Sequence, residues 1–302
     1  MNPPTPIGFV LITHSRPEQI RRLCDRLGSM FCNAPIVCHH DFGQCSLDED
    51  AFRDVEFVHP HLHTGWGTMS TVEAIIAAMR MLYARPDAPE WVVLLSGADY
   101  PIKPAQRILE DLRCSDADAH IDLHRIDSSG IDDPWVRGKF LRYFAIRLRI
   151  PYWSRELGRP STRWKRVTSK YIPLLHRVCP WLNRPFSRTF HCYCGNTWFS
   201  VNRRVAKEIL RFHNEQPSLA KQYAWKGNVD ESYIHCILGN AKSLRISTAP
   251  LRYMDWSKGG KSMRTLTIAD LPTLQASTAH FARKFDPQID SKVLDELDRM
   301  IL

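Results

Sequence analysis

Ile7-Gly-Phe-Val-Leu-Ile-Thr13, followed by His14-Ser-Arg-Pro17, decides the fold of this chain. An apolar run of this length, closed by polar residues and proline, reads as a buried strand running into a loop. From Glu18 to Leu27 apolar residues return at helical spacing, so the segment is strand, loop, helix. The pattern repeats outward. Ala34 to Cys38 is a second short strand, ending in His39-His40-Asp41, and Trp91 to Leu95 is a third, ending in Ser96-Gly-Ala-Asp99-Tyr-Pro101. Between them Ser70 to Tyr83 has helical spacing, with Ser70 or Thr71 placed to cap and Glu73 in the first turn. Later, Thr197 to Val201 reads as a strand, and Arg204 to Phe212 and Asp230 to Leu238 read as helices. Strand alternating with helix predicts an α/β fold with a mostly parallel sheet flanked by helices. Such sheets bind ligands beyond the carboxyl ends of their strands, so the three polar clusters are expected to face one crevice.

Composition narrows the class. With 302 residues, 44% of them hydrophobic and only 14 glycines, the chain buries a sizeable core and is not a disordered segment. No apolar stretch approaches the roughly 18–20 residues of a membrane-spanning helix, and the N-terminus lacks an apolar export segment. The expectation is a soluble, cytoplasmic protein whose nine cysteines are thiols. A net charge of +9 permits an acidic partner, whether nucleotide, membrane surface or nucleic acid. Much of that charge lies between Arg137 and Arg188. Residues 131–190 lose periodicity and read as a variable basic and aromatic insertion.

Few residue groups carry chemistry. The acidic pair Asp230-Glu231 opens a helical segment, and a basic run, Arg283-Lys284, closes a later apolar one, with Lys261 upstream. One carboxylate and two cationic positions suit the displacement of a nucleoside diphosphate from a sugar. A base takes the acceptor proton, and fixed cations stabilise the leaving group. Three other motifs are set aside. Asp116-Ala-Asp118 is an Asp-x-Asp, but it precedes an apolar segment instead of ending a strand, where a metal-holding pair belongs. The tract His59-Pro-His61-Leu-His63 has no cysteine or carboxylate near it in the sequence to complete a metal site, and Cys192-x-Cys194 is spaced too tightly for a zinc ribbon.

Five motifs occur in a telling order: Trp66-Gly67-x-x-Ser70, Leu95-Ser-Gly-Ala-Asp99-Tyr-Pro-Ile102, Gly195-Asn-Thr-Trp198-Phe199, Asp230-Glu231, and Phe281-Ala-Arg283-Lys284-Phe285. In this order the chain, over roughly residues 7 to 300, resembles the core-2/I-branching β-1,6-N-acetylglucosaminyltransferases and the related peptide O-xylosyltransferases. The resemblance implies one glycosyltransferase domain with a GT-A-like, Rossmann-like fold. Its nucleotide-sugar-binding half spans about residues 5–125, and its acceptor, base and diphosphate half spans about 191–302. It also implies an inverting transfer from a UDP-sugar, with no metal and no cofactor beyond the donor. Glu231 falls on the family's catalytic base. Lys284 and Lys261 fall on its diphosphate-binding positions, although Lys258 or Arg264 could take the place of Lys261. Asp41 aligns with an aspartate that meets the uridine. His14, Arg16, Trp66, Gly67, Ser70, Asp99 and Arg283 complete the expected donor site, and Asp230, Trp198 and Trp256 the expected acceptor site.

The wording of the motifs leaves UDP-GlcNAc and UDP-xylose open as donors, with GlcNAc transfer to a glycan hydroxyl the first reading. The chain shows neither the membrane anchor nor the disulfides of animal members, which favours assembly of a polysaccharide or lipid-linked glycan. A reading from another class is a non-catalytic binder of glycan or nucleic acid. It would use the cations and aromatics around Trp153, Arg155, Trp164, Lys165 and Arg166. The same segment could hold an enzyme peripherally on an anionic membrane.

Overall fold

The structure, a computed structural model, describes residues 5–32, 34–126, 186–187, 189–224, 226–257 and 263–301. The basic segment around Trp153 and Trp164, together with Lys258 and Lys261, lies outside them.

The opening segment is β1 (Ile7–Thr13), followed by α1 (Pro17–Met30) and β2 (Ile36–His40). A short β3 (Val55–Phe57) precedes α2 (Met69–Ala84), β4 (Trp91–Ser96), β5 (Asp99–Pro101), α3 (Ala105–Arg113), β6 (Ala119–Ile121) and β7 (His124–Arg125). The chain continues through β8 (Tyr193–Cys194), β9 (Phe199–Asn202), α4 (Arg203–Glu215), α5 (Pro217–Tyr223) and α6 (Tyr233–Asn240). It ends with β10 (Ile246–Ser247), β11 (Arg252–Met254), α7 (Leu271–Ala276), β12 (Phe281–Arg283) and α8 (Lys292–Met300).

Seven strands form the central sheet in the order β10-β6-β9-β4-β1-β2-β3. Only β9 runs against its neighbours β4 and β6; the other pairings are parallel. The expected α/β architecture, a mostly parallel sheet with helices on its faces, is what the chain adopts. Strands β9 and β10 come from the C-terminal part of the chain, so both parts share one sheet. A second sheet, β11-β12-β5, joins the segment after β4 to the C-terminal strands.

Successive residues of a strand point to opposite faces, and the core follows that period. Val10, Val37, Val92 and Leu94 pack on one face with Ile75, Ile76 and Met79 of α2. Phe9, Leu11, Ile36, Val93 and Leu95 pack on the other with Leu23 and Leu27 of α1 and Leu294 and Leu297 of α8. The strands are buried on both faces, which is why each reads as a continuous apolar run.

Two helix starts differ from the sequence reading. The N-cap of α2 is Thr68, whose hydroxyl bonds the Gly65 carbonyl and the Ser70 hydroxyl, so Glu73 falls beyond the first turn. Asp230-Glu231 does not open a helix. Asn228, in the left-handed region at φ 56°, starts a 3-10 turn over Val229–Glu231, and α6 begins only after Ser232. The pair is thereby lifted off the helix that periodicity had assigned it to.

Candidate active site

Because β1, β2 and β4 are parallel, their polar ends open at one edge of the sheet. A cavity of about 470 Å³ lies there, lined among others by His14, Trp66, Ser96, Trp198, Asp230, Glu231, Trp256, Arg283 and Lys284. A neighbouring cavity of about 320 Å³ is lined by Arg16, Gln19 and Gly97, and shares Ile12, His14, Ser96, Arg283 and Lys284 with the first. The two form a continuous crevice with Arg283 and Lys284 at the junction.

Glu231 is half-buried and held by its backbone. The Gly195 N–H donates to the Glu231 carbonyl at 3.0 Å, and the Asn228 side-chain amide approaches Oε2 at 3.4 Å. Gly195 is a close-approach glycine, since a Cβ there would lie 1.8 Å from the Asp122 carbonyl oxygen. We expect Gly195→Ala to displace this segment, lowering stability by about 1–3 kcal/mol as overpacking does and lowering turnover further by moving Glu231. Thermal unfolding and a steady-state assay on the same preparation check both. Asp230 lines the same cavity and accepts from the Thr197 hydroxyl at 3.4 Å.

The cationic end rests on a buried clasp that the sequence did not disclose. Asp99 is buried, and Arg252, which no motif singled out, is its ion-pair partner, also donating to the Leu94 carbonyl at 2.9 Å. The Ser96 N–H and hydroxyl close on the other Asp99 oxygen, which also faces Arg283 at 3.9 Å. Arg283 lies over the Trp198 ring with its guanidinium carbon 3.8 Å from the centroid, a cation–π contact on a partly desolvated face. Burial pushes the Arg283 guanidinium down to about 10, against the pull of Asp99. Its Nε and Nη1 find no hydrogen-bond acceptor among the described residues.

Several expected donor residues are held by side-chain and backbone partners of the crevice wall. Asp99 sits beneath the crevice, where it pairs with Arg252 and faces Arg283. Asp41 is likewise buried behind the wall. It accepts from Gly43 N, Gln44 Nε2, Thr64 N and the Thr64 hydroxyl, and of these residues Gln44 and Thr64 line the crevice. Burial opposes its ionisation, but those hydrogen bonds outweigh it and hold the carboxyl well below its usual range. Ser70 accepts from the Gly65 N–H and closes the loop before α2. Gly67, at φ 68°, gives its carbonyl to the Val229 N–H and so ties that loop to the turn carrying Glu231.

Arg16 pairs with Asp286 at 2.6 Å while lining the smaller cavity. Arg264, a possible substitute for Lys261, is bound to Asp255 and Asp270. The Asp-x-Asp aspartate Asp118 lies at the start of β6, fixed by Arg245 N and Asn202, away from the crevice mouth. Trp66 and Trp256, in contrast, are 81% and 47% exposed and both line the crevice, so neither is a core residue. Large aromatics left open in a cleft offer stacking faces to a ligand.

No curated protein matches the sequence. Among solved structures, the chain is similar to the apo form of mouse xyloside xylosyltransferase 1, at 10% identity and a TM-score of 0.39, over 91% of this chain and 97% of that one. The sequence profile of the Core-2/I-Branching enzymes matches residues 39–276, a span that carries the loop at Trp66, the clasp at Asp99 and Arg252, and the turn at Glu231. With most of its length in that match, the chain belongs to the Core-2/I-Branching enzyme family of glycosyltransferases.

Proposed function

We propose that this glycosyltransferase is an inverting enzyme that moves a sugar from a UDP-sugar to a hydroxyl of a glycan acceptor without a metal ion. GlcNAc is the first reading of the sugar, and xylose is the alternative. The observation that carries the proposal is the junction of the two cavities. There a buried guanidinium with two nitrogens lacking acceptors among the described residues adjoins Lys284 in the chain, and both line one cavity together with Glu231.

In this reading the donor diphosphate lies against Arg283 and Lys284, which stabilise the charge developing on the leaving oxygen. Lys284 supplies a point charge and Arg283 a planar fork, already oriented by Trp198 and Asp99. The sugar projects toward Glu231. That carboxylate removes the proton of an acceptor hydroxyl as its oxygen attacks the anomeric carbon from the face opposite the nucleotide. Trp66 and Trp256 offer faces on which a pyranose ring of the acceptor stacks. Lys261 is retained as a second diphosphate ligand on the resemblance alone. In place of a divalent cation, this arrangement uses side-chain cations.

Thermal stability against a panel of nucleotides and nucleotide sugars, each with EDTA, tests the reading. At 100 times its dissociation constant a ligand should add about 2.7 kcal/mol, so UDP and one UDP-sugar are expected to raise the unfolding temperature in the presence of chelator. The rise should shrink in Lys284→Ala. A response that appears only with magnesium or manganese would overturn the metal-free assignment.

A further inference from the structure

The tract His59-Pro-His61-Leu-His63 lacks a carboxylate in the sequence, but folding supplies one. The end of β2 brings Asp41 to the loop, and the ligand atoms of Asp41, His61 and His63 lie within 4.8 Å of one another. His63 Nδ1 is 3.5 Å from Asp41 Oδ1. Tetrahedral zinc with nitrogen and oxygen ligands about 2.0–2.1 Å from the metal needs donor atoms roughly 3.4 Å apart, so this pair already has the required separation.

The site is built around those atoms. Asp41 is buried, and its Oδ2 is occupied by Gln44 and Thr64, while Oδ1, which accepts from Gly43 N, faces the histidines. Backbone bonds fix the loop on either side of His63. The Leu62 N–H donates to His39 Nε2 at 2.9 Å, and the Thr64 N–H donates to Asp41 Oδ2 at 2.7 Å. A Cβ on residue 43 would fall 2.3 Å from the His63 ring, so glycine there is what allows the imidazole to approach the carboxylate. Phe42 packs against His61 at 5.2 Å between ring centroids, and the His61 and His63 rings stand nearly perpendicular, 5.5 Å apart. The His63 side chain is 80% exposed, leaving that side of the cluster open to solvent.

We propose that Asp41, His61 and His63 form a binding site for a borderline transition-metal ion, zinc foremost. Two imidazoles and one carboxylate select Zn²⁺ or Co²⁺ over Mg²⁺ or Ca²⁺, which require oxygen-rich shells. Neither histidine lines the crevice, so the ion takes no part in the proposed sugar transfer. Its role is structural. It clamps the His61–Thr64 segment to the end of β2, and with it Gly65 and Trp66, which form part of the crevice wall.

The test uses the full chain, stripped with chelator and dialysed, without nucleotide or acceptor, so its outcome is independent of the transferase reading. Zinc is titrated calorimetrically, and bound metal is counted by elemental analysis. One high-affinity equivalent is expected. His63→Ala and His61→Ala should each weaken it by about 10-fold or more, since even partners outside the coordination shell are worth about 10–100-fold. Cobalt in the same site should give the visible absorption of a four-coordinate ion in the wild type and lose it in His63→Ala. Because His63 is exposed, that variant is expected to fold normally, which unchanged thermal unfolding without metal checks. Absence of a high-affinity equivalent in the wild type, or affinity unchanged in both histidine variants, would overturn the assignment.

Discussion

Glu231→Gln is expected to lower the turnover number by about 10³-fold, within the range that a positioned general base contributes, while leaving the affinity for UDP-sugar nearly unchanged. The reason lies in how the residue is held. Its backbone is fixed by Gly195 and its turn by Gly67 and Asn228, so an amide of the same shape occupies the same place without the capacity to accept a proton. Donor binding, in the proposed reading, is the work of Arg283 and Lys284, which line the same cavity and which the substitution does not alter. Steady-state kinetics paired with a direct measurement of donor affinity checks both halves. Equal losses in turnover and donor affinity would indicate a role in binding, and full activity would remove Glu231 as the base.

Asp99→Asn should have the largest effect on stability. Arg252 is almost wholly buried at 1% side-chain exposure and Arg283 is at 11%, and Asp99 is their shared counter-charge. Removing one partner of a buried ion pair leaves an uncompensated charge in the interior and costs about 3–5 kcal/mol. For a chain of this size that corresponds to a fall of roughly 6–20 °C in unfolding temperature. Burial already lowers the proton affinity of both arginines, and Asp99 opposes that in each. The variant should therefore also bind UDP more weakly, as Arg283 loses the partner that aims it. A double substitution with Arg252→Gln should recover part of the stability but not the nucleotide affinity, and a double-mutant cycle measures the coupling. If Asp99→Asn unfolds like the wild type, the clasp is not the support of the cationic end.

The two effects separate chemistry from scaffolding at one crevice. Glu231 is half-buried on a turn, where the change of a single atom is expected to alter the proposed reaction and little else. Asp99 lies under the floor, where the same change of carboxylate to amide removes a charge that the interior has no means to replace.

How much of this was legible beforehand depends on the range of the interactions involved. Apolar runs at Ile7, Ala34 and Trp91 specify strands buried on both faces. Their polar ends mark the crevice, because periodicity and burial are properties of neighbouring residues. The motif at Asp230-Glu231 points to the proposed base, but its 3-10 turn depends on Asn228 in the left-handed region and on contacts with Gly67 and Gly195, distant in sequence. Arg252 carried no local signal. Its importance arises from a partner 153 positions away. The family resemblance assigns Asp41 to the donor site, and the strand end assigns Asp99; the structure buries both, and each organises side chains that line the wall.

No helix among the described residues is long and apolar enough to cross a membrane. By itself the sequence determined the α/β class, the edge of the sheet at which the polar strand ends gather, and the family. All of these follow from patterns a few residues long or from motif order. Only the tertiary structure decided which carboxylates are exposed to a substrate, which cation is clasped, and which histidines meet a carboxylate. Those outcomes depend on burial and on pairing between segments far apart in the chain, where the low-dielectric interior makes each unpaired charge costly and each pairing specific.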